Sequence, residues 1–373
     1  MNGGIDKPAA KSCIREATAF FAALAARFWG SAARDMSDTA ALMFTAPLFT
    51  GVLFALAAGL MWGLVFVGPL LLPEYPATLQ SFGRYLAFGL IALPLAWFDR
   101  DKLRQLARAD WLEALKLALV GNIVYYLFLA SAIQRAGGPL PTMIIGTLPV
   151  VIAITSKLRR AAPGARVETP LQWRRLLPSL LLIGLGIALV NHVELDALKR
   201  DPHADLARYA LGGLLAAGAV VCWTWYPIRN AEWLRAHPDR SPRGWATAQG
   251  LMTLPLALLG YALTWGWSAA SGDTFPMPFG PRVFDFLMLM FAIGLLASWL
   301  GTLCWNEASQ RLPPSLSGQL IVFETLAALS YAFVLRKSLP HVETLVGVAL
   351  LIAGVVWAVR TQPAEASADA HPN

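Results

Sequence analysis

Residues 113–157 read EALKLALVGNIVYYLFLASAIQRAGGPLPTMIIGTLPVVIAITSK. Two apolar runs, 113–134 and 139–157, are joined by Gly137, Gly138 and Pro139. A hydrocarbon core of about 30 Å demands roughly twenty helical residues, and each run has about that length. The runs are continuously apolar instead of alternating, so they predict membrane helices and not the strands of a barrel. Outward from this stretch the same reading recurs at 48–70, 77–98, 176–193, 209–229, 245–265, 283–306, 313–335 and 341–359. The expectation is an all-α membrane protein of ten transmembrane helices. Pro69, Pro94, Pro149, Pro227 and Pro255 fall inside or at the ends of these runs, where neighbouring helices can satisfy the freed carbonyls.

Composition excludes the soluble classes. Of 373 residues, 57% are hydrophobic and 14% charged, where a soluble domain carries about a quarter charged. The formal charge of +7 sits in the segments between apolar runs, which is the pattern of cytoplasmic membrane loops and not of a nucleic-acid surface. Cys13, Cys222 and Cys304 show no paired spacing, so neither a disulfide framework nor a metal site is expected. No cofactor motif, Walker loop or hydrolase signature appears, and an enzyme is not expected. The chain reads as a multi-pass protein of the bacterial inner membrane.

Basic residues set the orientation. With the N-terminus inside, 21 Lys and Arg fall on the cytoplasmic side, 7 on the other, and Arg84 and Lys116 within spans, out of 30 in all. That bias predicts both termini in the cytoplasm. The expected organisation is an N-terminal extension over 1–47, disordered or interfacial, then a first repeat at 48–193 and a periplasmic linker at 194–208. A second repeat at 209–360 and a polar tail at 361–373 complete it.

The halves echo one another. Gly51 precedes Trp62 by the interval at which Gly212 precedes Trp223. Ala132-Ile-Gln-Arg135 recurs as Ala308-Ser-Gln-Arg311, and Leu182-Ile183 as Leu351-Ile352, each of the latter pair with a glycine within the next two residues. Five spans per copy is an odd number, so the second copy enters from the opposite face. Two inverted five-helix repeats are the architecture of alternating access.

These stretches resemble a known family. GVLFALAAGLMWGLVFVGPLLLPEYP, QSFGRYLAFGLIALP, ASAIQRAGGPLPTMIIGTLPVVIAI and TLVGVALLIAGVVWAV are similar to the EamA-domain proteins of the drug/metabolite transporter superfamily. NIVYYLFLASAIQR and CWNEASQRLPPSLSGQLIVFETLAALSY bring the chain close to the YtfF-like bacterial inner-membrane branch. The resemblance spans about residues 48–360. It implies a ten-helix carrier with a central cavity between the repeats, exporting metabolites or drugs by ion coupling or exchange.

Few groups could carry that chemistry. Glu324 lies near the middle of its span and is a candidate proton-coupling carboxylate; the competing reading is a structural ion pair. Arg84 could bind an anionic group or pair with Glu324. The amides Asn122 and Gln319 join them as candidates, with Gln80 and Asn306 as further polar residues in or at the ends of spans. Trp62 and Trp223, at equivalent repeat positions, and Tyr125 and Tyr126 would give a cavity aromatic walls. Trp173, Trp245, Trp265 and Trp267 read as interfacial belt residues.

The expected activity is secondary transport of a small organic metabolite or amphipathic compound, in the export direction, by alternating access. Its partners would be that solute, the lipid bilayer, and a proton or counter-solute, with a homodimer as candidate assembly. The alternatives are a lipid or polyprenyl-carrier flippase on the same fold, and a membrane scaffold or enzyme that transports nothing.

Overall fold

The computed structural model describes residues 46–160, 173–199, 205–312, 320–337 and 340–360. Gln319, the polar tail, residues 200–204 of the linker and all but the last two residues of the N-terminal extension lie outside the described residues. Two compact units divide the chain, Met1–Thr50 and Gly51–Asn373; of the first, residues 46–50 are described and are helical.

Among the described residues every regular element is helical. The apolar helices are α1 (Phe49–Leu71), α2 (Ala77–Phe98), α3 (Arg108–Ala136), α4 (Pro139–Ile152), α5 (Leu177–Val190), α6 (Leu206–Leu234), α7 (Pro242–Ser271), α8 (Val283–Arg311), α9 (Phe323–Leu335) and α10 (Val342–Gly354). Six of these, α1–α3 and α6–α8, are long and apolar enough to cross a membrane, at 22 to 30 residues. At 1.5 Å per residue they measure about 33–45 Å. Large side chains on their outer faces are exposed, Leu214, Val221, Leu263, Trp267 and Phe284 among them. In water such a surface would aggregate; in lipid it is the solvated surface.

Local chemistry sets the helix ends. Gly137, at φ 75°, ends α3 in a conformation that side chains resist, and Pro139 opens α4 where its missing N–H costs nothing. Ser241 caps α7 ahead of Pro242, and Gly272, at φ 68°, closes it. Pro94, Pro227 and Pro255 stay inside unbroken helices.

Helix pairing joins the two sequence halves. The most extensive contacts run between α5 and α10, α2 and α7, and α3 and α6. Lipid tails are as apolar as leucine, so such contacts depend on close packing by small residues. A side chain on Gly212 would fall 2.6 Å from Ala136 Cβ at the end of α3; one on Gly51 would fall 2.7 Å from Leu312 Cδ2 at the end of α8. The two glycines are the ones that mark the sequence echo, and each packs beside one copy of the A-x-Q-R tetrapeptide. The tetrapeptide arginines behave alike too, since Arg135 donates to Ser131 O at 3.0 Å and Arg311 to Glu307 O at 2.8 Å.

Both α3 and α8 widen locally into a π-helix, at Ala118–Val124 and Gly294–Leu300. Each wide turn begins fourteen residues before its A-x-Q-R sequence. π segments leave backbone groups less regularly paired and are frequent at functional sites.

Trp245 departs from its expected place at the interface. It is 1% exposed and stacks on Trp233 with ring centroids 3.5 Å apart. Trp265 and Trp267 do face outward.

Candidate functional site

A small cavity lies among α1, α2, α3, α6, α8 and α9. Its lining includes Trp62, Arg84, Asn122, Tyr125, Trp223 and Glu324. The two π segments supply Gly121 and Asn122 from α3, and Ala297 and Ser298 from α8. Gly121 is required there because a side chain would run into the Tyr226 ring.

Arg84 projects from the first third of α2 and is 4% exposed. Its Nε donates to Ser298 Oγ at 3.0 Å, and its guanidinium lies 4.5 Å from the Tyr126 ring centroid and 4.8 Å from that of Tyr85. Cation–π contacts in a desolvated site are worth about 2 kcal/mol. Tyr126 is held in turn by its hydroxyl, which donates to Val65 O at 3.0 Å. Arg84 Nη1 is buried with no hydrogen-bond partner.

Glu324 lies in the first turn of the helix Val322–Arg336, directly after a turn at Ile321, and is 2% exposed. A carboxylate in a first helical turn complements the exposed N–H groups there. Its Oε2 is buried without a hydrogen-bond partner, and no ion pair joins it to Arg84. Each such buried polar atom costs about 1–3 kcal/mol.

The aromatic wall comes from both halves. Trp62 and Trp223 meet edge to face with centroids 4.7 Å apart, so residues from the two halves of the sequence touch at the cavity. Tyr125 lies 5.3 Å from Trp223, and Trp305 lies 5.2 Å from Trp62. Of the sequence-derived candidates, Tyr126 stands behind Arg84 instead of in the lining, and Gln319 lies outside the described residues.

Polar belts close the bundle at both ends. At one end Arg243 meets Asp99 at 3.0 Å and Arg229 meets Glu113 at 2.8 Å, joining α7 to the end of α2 and α6 to α3. At the other, the Arg282 backbone N–H donates to the Tyr75 hydroxyl at 2.8 Å, and its side chain pairs with Glu74 at 3.2 Å.

Comparison with known proteins fits this architecture. The model of the EamA-like transporter family matches residues 49–191. Inner membrane protein YtfF of Escherichia coli (strain K12) is 56% identical over 316 residues, covering 85% of this chain and 97% of that protein. The chain belongs to the EamA-like transporter family. A solved crystal structure at 18% identity, covering 83% of this chain and 96% of its own, shares the fold with a TM-score of 0.57. This EamA-family chain is accordingly a multi-pass inner-membrane protein.

In this EamA-family member the sequence reading misses a buried amide cluster. Asn230 is fully buried and bonds Trp245, Gln249 and Asn306 at 2.8, 3.1 and 2.9 Å. A signal is present: Tyr226 and Asn230 are four residues apart on α6, and Trp245, Gln249 and Thr253 recur every four on α7, so each set shares one helix face. Gln80 spends its amide on the α1–α2 connection, donating to Leu72 O and Tyr75 O.

Proposed function

We propose that this protein is a secondary transporter, exporting a small amphipathic solute by alternating access of two inverted five-helix repeats with both termini in the cytoplasm. The observation that carries this reading is the cavity itself, where Arg84 Nη1 and Glu324 Oε2 stand buried and unpartnered between aromatic walls drawn from both halves. Burial of two unpaired groups is expensive. A solute with a polar head and an apolar body would satisfy both groups and stack on Trp62 and Trp223. Glu324 is the coupling carboxylate in this reading, because it can exchange a proton for the solute, and Arg84 is an anchor.

Matching glycine contacts, matching π segments and the Trp62–Trp223 contact support the repeat reading. Under it, the belt of Asp99 and Glu113 and the belt around Arg282 act as alternating gates. A lipid flippase would use the same fold with the cavity opened sideways.

The test loads proteoliposomes with a pH-sensitive dye and screens pooled amino acids, nucleosides and cationic amphiphiles. Solute-dependent proton movement is expected from at least one pool. Silence across all pools, from protein shown to be folded, would contradict coupled transport.

A further inference from the structure

We infer that Asn230, which does not line the cavity, fixes the hydrogen-bond polarity of the Tyr226 side of the cavity wall, so that the cavity favours solutes bearing N–H donors over equally charged solutes without them. The inference rests on the proposed function only in placing a solute in this cavity.

The amide orientations follow from which groups can donate. The indole Nε1–H of Trp245 is a donor only, so the Asn230 atom 2.8 Å away is its oxygen. The Gln249 atom 3.1 Å from that same oxygen must then be its nitrogen. Asn230 Nδ2 consequently faces Asn306 Oδ1 at 2.9 Å, and Asn306 Nδ2 faces Pro242 O at 3.3 Å, a carbonyl that can only accept. A pure donor and a pure acceptor therefore pin the row from its two ends.

The cavity inherits this polarity. With its nitrogen on Asn230, Gln249 turns Oε1 toward Tyr226, whose hydroxyl donates to it at 2.8 Å. A tyrosine has one proton, so the rest of the Tyr226 oxygen, which Thr302 of the lining also approaches, can only accept. Asn122 reaches the same state by a separate route. Thr253 gives its only proton to Gln249 O at 2.7 Å, so it can only accept, and Asn122 Nδ2 donates to it at 3.2 Å. That leaves Asn122 Oδ1 as an acceptor. Two acceptors from the packed helices α3 and α6, together with Glu324, suit a primary ammonium or another donor-rich head, while the Arg84 cation in the same lining opposes any cationic head by its charge alone, whatever donors that head bears; an apolar body then lies against Trp62 and Trp223.

Purified protein in nanodiscs would be titrated by calorimetry with phenethylammonium and with its N,N,N-trimethyl counterpart, which keep the charge and the ring but differ in N–H donors. In wild type the primary ammonium is expected to bind about tenfold tighter or more, the ratio set by unmade hydrogen bonds to a charged group. Asn230→Ala frees Gln249 and is expected to lower that ratio about threefold, the Asn122 and Glu324 acceptors being unaffected, whereas Asn230→Asp retains the orienting oxygen and the full ratio. Tyr226→Phe, which removes that one acceptor and leaves the amide row intact, gives the same fall in the ratio if Asn230→Ala does not fold. Equal binding of both probes by wild type, binding of neither, or a ratio unchanged from wild type in both Asn230→Ala and Tyr226→Phe would overturn the inference. Solute-driven proton flux without N–H preference would sink this inference and leave transport standing. Preference without any flux would do the reverse.

Discussion

Arg84 and Glu324 line one buried cavity without pairing, Arg84 turning its Nε to Ser298 Oγ at 3.0 Å and leaving Nη1 free. A permanent ion pair would have neutralised both groups and closed the site. Their separation keeps a cation and a carboxyl available to something that enters.

The anchoring of Arg84 makes a conservative exchange costly. Lysine lacks both the planar group that lies on Tyr126 and the Nε donor to Ser298. Arg84→Lys is expected to cut solute-dependent flux about tenfold or more. Ser298→Ala removes one hydrogen bond of about 1 kcal/mol and should cost about fivefold. Initial rates in proteoliposomes check both.

Packing between the halves gives a second expectation. Gly212→Ala places a methyl 2.6 Å from Ala136 Cβ and 3.1 Å from the Ala132 carbonyl, so the helices must part. A loss of about 1–3 kcal/mol is expected, read as a lower midpoint in thermal unfolding. At Gly184 a methyl would meet nothing within 4 Å, and Gly184→Ala should leave the midpoint unchanged or slightly raised. Equal effects would show that the α3–α6 approach does not limit stability.

The ion pairs at the Asp99 end predict a change in access. Arg229 and Arg243 are partly exposed, but Asp99 and Glu113 are buried, so removing either arginine leaves a buried carboxylate without its counter-charge. Replacing both arginines by alanine should raise the labelling rate of Thr302→Cys, in a background lacking Cys13, Cys222 and Cys304, by about fivefold or more from that face. Labelling with a membrane-impermeant thiol reagent reads this directly. An unchanged rate would mean that these pairs do not hold that end closed.

Much of this is legible in the residues because lipid imposes a simple rule. Continuous apolar runs have to be helices, and Gly137 with Pro139 has to mark a joint. Charged groups inside such runs are so rare that Arg84 and Glu324 stand out before any contact is known. Trp245 reads wrongly because an aromatic near a helix start suits a membrane interface equally well, and only the Trp233 stack distinguishes the two. Asn230 and Gln249 escape notice for a related reason. A polar residue near a span end can face water, and its burial depends on neighbours far away in sequence, here Asn306 from α8. The π segments of α3 and α8 leave no mark in the apolar pattern at all.

The central claim is that Glu324 couples proton movement to a solute in this cavity. The most direct measurement compares wild type with Glu324→Gln in dye-loaded proteoliposomes, following proton movement and solute exchange in the same vesicles. Glutamine keeps the shape but cannot carry a proton, so the account predicts that solute-dependent proton movement disappears while solute exchange between equal pools continues. Proton movement that survives in Glu324→Gln at the wild-type rate would contradict it.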